Sequence, residues 1–81
     1  LRMEAHSWRI ALSLQRGRLA DAAAEIERLR ALAAEARRPR FVALGHTFAA
    51  SLAMAYGDFA RAEHEVRAAA RLNQRIHAYH S

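Results

Sequence analysis

The sequence predicts an all-α fold of two antiparallel helix-turn-helix repeats, and three features lead to this prediction. The 81 residues include 21 Ala and 13 Arg, which both favour helices, whereas Gly and Pro number only three and one. The sequence also matches itself at a shift of 40 residues, which brings Gly17 and Gly57 into register. Apolar residues recur at helical spacing between these glycines and Pro39. Too few turn residues remain for an all-β sandwich.

The repeat extends well beyond the two glycines. Before the glycine, the aligned pairs include His6–His46, Ser7–Thr47 and Trp8–Phe48, a run that alanine content alone would not produce. After the glycine, the aligned pairs include Leu19–Phe59, Ala22–Ala62, Glu25–Glu65, Ile26–Val66 and Leu32–Leu72. A fixed period of this size is typical of stacked helical units, so the chain divides into repeat unit 1 (residues 1–38) and repeat unit 2 (residues 39–81).

Repeat unit 1 is predicted to form one helix near residues 3–16 and another near residues 19–37. Gly17 separates the two helices because glycine adopts a positive φ without steric cost. The second helix ends near Arg38, since a residue before proline avoids the α conformation. The apolar stripes are Ala5, Trp8, Ala11, Leu12 and Gln15 on the first helix, and Leu19, Ala22, Ala23, Ile26, Leu29, Leu32 and Ala33 on the second.

Repeat unit 2 is predicted to form helices near residues 40–56 and 59–78. Pro39 is tolerated in a first helical turn, Gly57 forms the turn between the helices, and Asp58 is a good N-cap. Gly45 falls inside a helix, where alanine should replace it without loss unless close packing leaves no room for a Cβ. The apolar stripes are Phe41, Leu44, Phe48, Leu52 and Met54, then Phe59, Ala62, Val66, Ala69, Ala70 and Leu72. The recurring aromatic residues Trp8, Phe41, Phe48 and Phe59 are expected in the core.

The formal net charge is +5, and Arg supplies every basic side chain apart from the histidines. Because acidic and basic residues mostly alternate, we expect solvated helix faces rather than a nucleic-acid-binding surface. Their spacing predicts surface ion pairs Glu25–Arg28, Glu27–Arg30 and Glu63–Arg67. The one concentrated basic cluster lies at the turn between the units and is a candidate anion contact, formed by Arg37, Arg38 and Arg40.

The sequence offers no pattern for catalysis, a metal or a cofactor. It has no Cys, and its three isolated glycines form no phosphate-binding loop. His77 and His80 are expected as a surface pair. His6 and His46 are equivalent in the repeat and are expected to be structural, each binding a neighbouring turn carbonyl. Because no nucleophile–base pair emerges, we expect no enzymatic activity. No apolar run is long enough to span a membrane and no basic-then-apolar leader suggests secretion, so we expect a cytoplasmic protein.

Residues 57–69 resemble the turn and second helix of a tetratricopeptide repeat. The residues that match the family pattern are Gly57, Asp58, Phe59, Ala62, Val66 and Ala69, with Ala49, Ala50 and Ala53 in the preceding helix and Gly17, Leu19, Ala22, Ile26 and Leu29 in unit 1. The sequence departs from the family at Arg9 and Ile10, and it has Ala34 and Gln74 in place of the closing proline. Its long period and its Ala- and Arg-rich helices are similar to the degenerate repeats of large bacterial LuxR-type and nucleotide-binding transcriptional regulators.

The resemblance implies a protein–protein interaction scaffold, as the sensor or interaction segment of a bacterial regulatory protein. In tetratricopeptide repeats the first helix of each unit lines an inner groove, which here implies Glu4, Ser7, Ala11, Leu14 and Gln15, matched by Leu44, Thr47, Ser51, Met54 and Ala55. The same residues would alternatively form a packed interface with neighbouring repeats. Expected partners are neighbouring repeats, another protein or peptide, or a second copy of the chain, because a stack of two repeats leaves apolar ends. Two other functions stay open: a compact four-helix bundle that dimerises, and an Arg-rich nucleic-acid-binding module.

Overall fold

A computed structural model describes the backbone of residues 2–80 and the side chains of residues 2–78. It contains four helices, α1 (Met3–Gln15), α2 (Leu19–Glu35), α3 (Pro39–Ala55) and α4 (Phe59–His80). The prediction of an all-α fold of two helix-turn-helix repeats is confirmed, and every observed helix end lies within two residues of the predicted one. The side chain of His80, one member of the expected His77–His80 pair, lies outside the described residues.

The three turns recur every 20 residues and share one backbone conformation. Gly17, Arg37 and Gly57 adopt φ values of +71°, +52° and +78°. In each turn, the N–H groups of this residue and the next bond to carbonyl oxygens of the preceding helix at 2.8–3.3 Å, which is the Schellman ending of a helix. The predicted N-cap is also confirmed, since Asp58 Oδ1 accepts the backbone N–H of Arg61 at 3.1 Å. Arg37 is the one described residue with a side chain that holds a positive φ.

The helices pack in series along the chain. α1 packs against α2, α2 against α3 and α3 against α4, and a thinner contact joins α1 to α3. Within the described residues α1 makes no packing contact with α4, so the helices form stacked pairs and not a closed ring of four. The molecule measures 38 × 31 × 17 Å. The contact between α1 and α3 places the first helices of both units on one side of this slab.

The core is small and lies where α1, α2 and α3 meet. Its buried cluster consists of Ile10, Ile26, Leu29 and Ala49, against which Met3, Leu14, Phe41, Phe48 and Leu52 pack while partly buried. Elsewhere α3 and α4 bury mainly small residues, namely Ala43, Gly45, Ala50, Ala53, Ala62 and Ala69. Because small residues let helix backbones approach closely, the larger apolar side chains of these helices lie beside the contact rather than in it.

The predicted apolar stripe of α1 is wrong. The buried residues of this helix are His6 and Ile10, whereas Trp8, Ala11, Leu12 and Gln15 of the predicted stripe are exposed. The helix is turned toward the face that carries His6, because this polar side chain has a buried partner on α2. The buried side of α1 also carries the apolar Met3, Ile10 and Leu14, so the predicted stripe was drawn through the wrong set of apolar residues.

Several residues expected in the core are exposed. Trp8 is 71% exposed and Phe59 is 65% exposed, and Met54, Val66 and Leu32 are also exposed. Phe59 and Val66 lie on the outer side of α4, where no described helix follows. None of the four helices, as far as the structure describes them, is both long and apolar enough to cross a membrane.

Candidate functional site

A groove between α1 and α3 is the first candidate binding surface. It has a volume of about 310 Å³ and is lined by Glu4, Ser7, Trp8, Ala11, Phe41 and Leu44. The Ser7 hydroxyl donates to the Met3 carbonyl oxygen of its own helix at 3.0 Å. The groove therefore offers apolar walls, an exposed indole and one charged group, the Glu4 carboxylate.

The structure brings together some of the groove residues that the resemblance implies. Four of them line the groove, namely Glu4, Ser7, Ala11 and Leu44. Leu14 instead packs against the core, and Gln15 is exposed in the last turn of α1. On α3, Thr47, Ser51 and Met54 are exposed, and the first two donate their hydroxyls to carbonyl oxygens one turn earlier, at 3.2 and 3.3 Å.

Sequence reasoning missed the two aromatic residues of the groove. Trp8 and Phe41 were expected in the core. Phe41 packs against the core and also lines the groove, whereas Trp8 lines the groove and is exposed. A signal was present in the sequence, because Trp8 follows Glu4 by four residues and so lies on the same helix face. Trp8 therefore shares its helix face with the groove residue Glu4, whereas the buried residues His6 and Ile10 lie on another face.

The basic cluster at the turn between the units has mostly apolar surroundings. The Arg38 guanidinium lies 5.2 Å from the centroid of the Phe41 ring, a cation–π distance. Arg38 and Arg40 border a hollow of about 220 Å³ whose other walls are Pro39, Phe41 and Ile76. Arg37 forms the turn itself and is exposed. Among the described residues that line this hollow, only the two arginines have polar side chains, whereas Arg40 also borders a second hollow of about 330 Å³ with Asn73, Ile76 and His77.

A buried histidine–glutamate pair joins α1 to α2. His6 Nδ1 lies 2.6 Å from Glu25 Oε2, and the two residues are 6% and 5% exposed. Arg28 Nη1 lies 2.8 Å from Glu25 Oε1, and Arg9 Nε lies 3.6 Å from it. The expected turn carbonyl partner of His6 is wrong, and so is the surface location of Glu25, although its predicted ion pair with Arg28 is present. An acid with a histidine partner and two arginines can be buried, because its charge is compensated.

The same pair recurs 40 residues later, between α3 and α4. His46 Nδ1 lies 2.8 Å from Glu65 Oε1, and Glu65 is 3% exposed. Arg30 of unit 1 donates to Glu65 at 3.2 Å and does not form the predicted pair with Glu27, while Arg61 lies 3.5 Å from Glu65. His46 too therefore binds a carboxylate and not the expected turn carbonyl. In both units the partners are 19 residues apart, so the sequence repeat is also a repeat of buried contacts.

Both buried carboxylates are held in the ionised form. The hydrogen bond from His6 lowers the pKa of Glu25, against the opposing effect of burial. Burial raises the pKa of Glu65, but the His46 hydrogen bond and the Arg30 charge outweigh it and leave the pKa below its ordinary value. Since an ionised carboxylate only accepts hydrogen bonds, Nδ1 of each histidine carries the hydrogen.

Among the described residues, the hydroxyls next to these histidine–carboxylate pairs in sequence are bonded elsewhere. The adjacent hydroxyls of Ser7 and Thr47 donate to the carbonyl oxygens of Met3 and Ala43 in their own helices. A general base needs its nucleophile within hydrogen-bond reach, so this arrangement joins helices instead of activating a hydroxyl. Across the described residues, no three His, Cys, Asp or Glu side chains are grouped so that they could hold a metal ion.

Comparisons with known proteins give no relative from which a function could be transferred. The chain matches no protein-family model, no curated protein and no solved structure. Its surfaces and buried contacts are therefore the basis on which a function is proposed.

Proposed function

We propose that this chain is a protein–protein interaction module of the tetratricopeptide-like kind, which binds a partner segment in the groove between α1 and α3. The observation that carries the proposal is the exposed indole of Trp8, placed at an apolar groove of about 310 Å³. Trp is the residue type most enriched among those that dominate binding energy in protein interfaces. A solvent-exposed Trp beside a concave apolar surface therefore favours a binding role over a purely structural one.

The groove residues indicate the chemistry of the partner. Phe41, Leu44 and Ala11 would take an apolar side chain, and Trp8 would cover it from one side. The Glu4 carboxylate lies in the same groove and would pair with a basic residue of the partner. We therefore expect a peptide segment with one large apolar residue and a neighbouring Lys or Arg. By resemblance to the repeats of bacterial regulators, such a segment would belong to another domain or protein of a cytoplasmic signalling system.

Trp8 also supports a direct test, because it is the single Trp of the chain. Peptides selected from a random display library on the purified protein would be titrated while the Trp8 fluorescence is followed. We expect selected peptides to contain the apolar and basic pair, and to shift the emission to shorter wavelength as the indole loses water contact. A library that yields no binder to the wild-type protein would contradict the proposal.

The matched control uses the other exposed aromatic residue. Trp8→Ala should weaken peptide binding at least about tenfold, which corresponds to 1.4 kcal/mol. Phe59→Ala removes an aromatic ring of similar exposure from α4, outside the groove, and should leave binding unchanged. Because Trp8→Ala removes the fluorescent probe, both variants are measured by calorimetry. Equal losses in the two variants would show that the peptides bind elsewhere.

A further inference from the structure

The outer face of α4 repeats a face that is covered in unit 1. Ile26 of α2 is 2% exposed because it packs in the core with Ala49 of α3. Its equivalent in unit 2 is Val66 of α4, which is 55% exposed. Phe59, the equivalent of the partly buried Leu19, is exposed on the same helix. The face of α4 that carries Phe59 and Val66 thus matches the face by which α2 binds the next helix.

The contact between α2 and α3 shows what such a face binds. One cleft of about 340 Å³ between these helices is lined by ten residues, which include Ala23 and Ile26 of α2 and Ala49 and Leu52 of α3. Moving the α2 residues forward by 40 gives Glu63 and Val66 on α4. Moving the α3 residues back by 40 gives Arg9 and Leu12 on α1, and Leu12 is 42% exposed. The equivalents of both halves of this contact are therefore exposed, one on α4 and the other on α1.

The residues at the two ends differ from those of the α2–α3 contact in ways that compensate each other. The small neutral residues Ala23 and Ala49 are replaced by the oppositely charged Glu63 and Arg9. In the α2–α3 contact, Arg30 crosses α3 at Gly45, where a Cβ would lie 2.9 Å from Arg30 Cγ.

At the equivalent positions of the two ends, both residues are alanine. Ala70 replaces the long Arg30, and Ala5 replaces the bare Gly45. If α1 of a second molecule docked on α4 as α3 docks on α2, Ala70 would face Ala5, and its short side chain would leave room for the Ala5 Cβ. At these two pairs of positions, the α4 face and the α1 face are complementary in size and charge.

We propose that the chain associates with itself head to tail, with α1 of a second copy docked on the outer face of α4 in the way that α3 docks on α2. Val66 and Phe59 would be covered, and Glu63 would lie within reach of Arg9 of the second copy. Each of these charges already has a partner in its own chain, Arg67 for Glu63 and Glu25 for Arg9, so docking leaves no charge unpaired. The contact joins two different faces, so it continues from copy to copy unless the stack closes into a ring.

The test separates head-to-tail association from a symmetric dimer. Val66→Asp blocks the α4 face and Leu12→Asp blocks the α1 face, and both positions are exposed. Ala31→Asp, at an exposed position of α2, is the control. Sedimentation equilibrium of the wild-type chain and the control should show a mass that rises with concentration beyond that of a dimer. Each blocked variant alone should be a monomer, and an equimolar mixture of the two should reach the dimer mass and stop there.

Three results would overturn the proposal. The first is a wild-type chain that stays monomeric up to about 1 mM, the range of the weakest specific contacts. The second is a Leu12→Asp variant that still dimerises alone. The third is an equimolar mixture of Val66→Asp and Leu12→Asp that stays monomeric. If circular dichroism shows that an aspartate variant is unfolded, Glu63→Lys and Arg9→Glu give the same test. Each charge reversal alone should weaken association at least about tenfold, and mixing the two should restore it. The four substituted positions of the proposed contact are absent from the lining of the groove between α1 and α3; they are Arg9, Leu12, Glu63 and Val66. A failure of the self-association test therefore leaves the proposed peptide site untouched.

Discussion

Replacing Gly45 with alanine should destabilise this protein, although glycine inside a helix is normally the less stable choice. The α3 backbone at Gly45 is buried, and Arg30 of α2 passes directly over it. An added Cβ would lie 2.9 Å from Arg30 Cγ, which is too close. Because Cγ lies near the root of the side chain, the whole arginine must move, and with it the guanidinium that donates to Glu65 at 3.2 Å.

The magnitude follows from three opposing effects. Alanine gains about 1 kcal/mol over glycine in helix propensity. Overpacking costs about 1–3 kcal/mol, and a lost hydrogen bond to a buried charged group costs about 1.5–3 kcal/mol. Since the arginine can keep part of its contact after moving, we expect Gly45→Ala to lower the free energy of unfolding by about 1–2 kcal/mol. In an Arg30→Ala background the obstacle is gone, and the same substitution should raise the free energy of unfolding by up to about 1 kcal/mol.

The sign reversal makes a double-mutant cycle decisive. Urea unfolding would be followed by the circular dichroism of the helices for the wild type, the two single variants and the double variant. Samples are kept dilute so that association does not contribute to stability. A coupling energy of about 2–3 kcal/mol is expected between residues 30 and 45. If Gly45→Ala stabilises the wild-type protein as much as it stabilises Arg30→Ala, the close approach of Arg30 to α3 has no energetic consequence and the reasoning fails.

Three further predictions concern the buried acids and the turns. Because the pKa values of Glu25 and Glu65 are lowered in the folded protein, their stabilisation is present above about pH 4.5 and is lost as the pH falls through the lower folded pKa. Glu25→Gln should therefore flatten the acid part of a plot of unfolding free energy against pH, and an unchanged slope would argue against the ion pair. Arg37→Gly should stabilise the protein by about 0.5–1 kcal/mol, since glycine accepts φ +52° without strain. Gly57→Val should destabilise it by more than about 1 kcal/mol, because a β-branched residue is strained at φ +78°, and equal melting temperatures would contradict this.

The repeat and the turns could be predicted from the sequence because they depend on local rules. Gly17, Pro39 and Gly57 mark three of the helix boundaries by their backbone preferences alone, and the observed helices begin and end near them. Arg37 gave no such signal, since arginine rarely adopts a positive φ. Residue 37 lies midway between Gly17 and Gly57, so the three positive-φ residues recur at a spacing of 20 residues.

The buried faces could be predicted only in part, because some polar side chains of this chain are buried and some large apolar side chains are exposed. His6, Glu25 and Glu65 are buried since each has a partner on another helix, and hydrophobicity reports nothing about such partners. Trp8 is apolar and exposed for the opposite reason, as it borders a groove that the chain itself does not fill. The alignment of both members of each His–Glu pair at the same 40-residue shift was the signal that could have linked them.

The two histidine–glutamate pairs occupy equivalent positions, but only the pair in unit 2 takes an arginine partner from the other unit. The arginines that contact Glu25 are Arg9 and Arg28, which both belong to unit 1. Glu65 instead takes one of its two arginines, Arg30, from unit 1, and this is the one ion pair among the described residues that crosses between the units. Removal of unit 1 would therefore leave the Glu65 carboxylate short of a partner, whereas removal of unit 2 would leave the charges around Glu25 balanced. Without Arg30, Glu65 would keep only His46 and Arg61, and removing one partner of a buried charge is destabilising. Unit 2 therefore depends electrostatically on unit 1, and Gly45 is the residue that gives Arg30 its path.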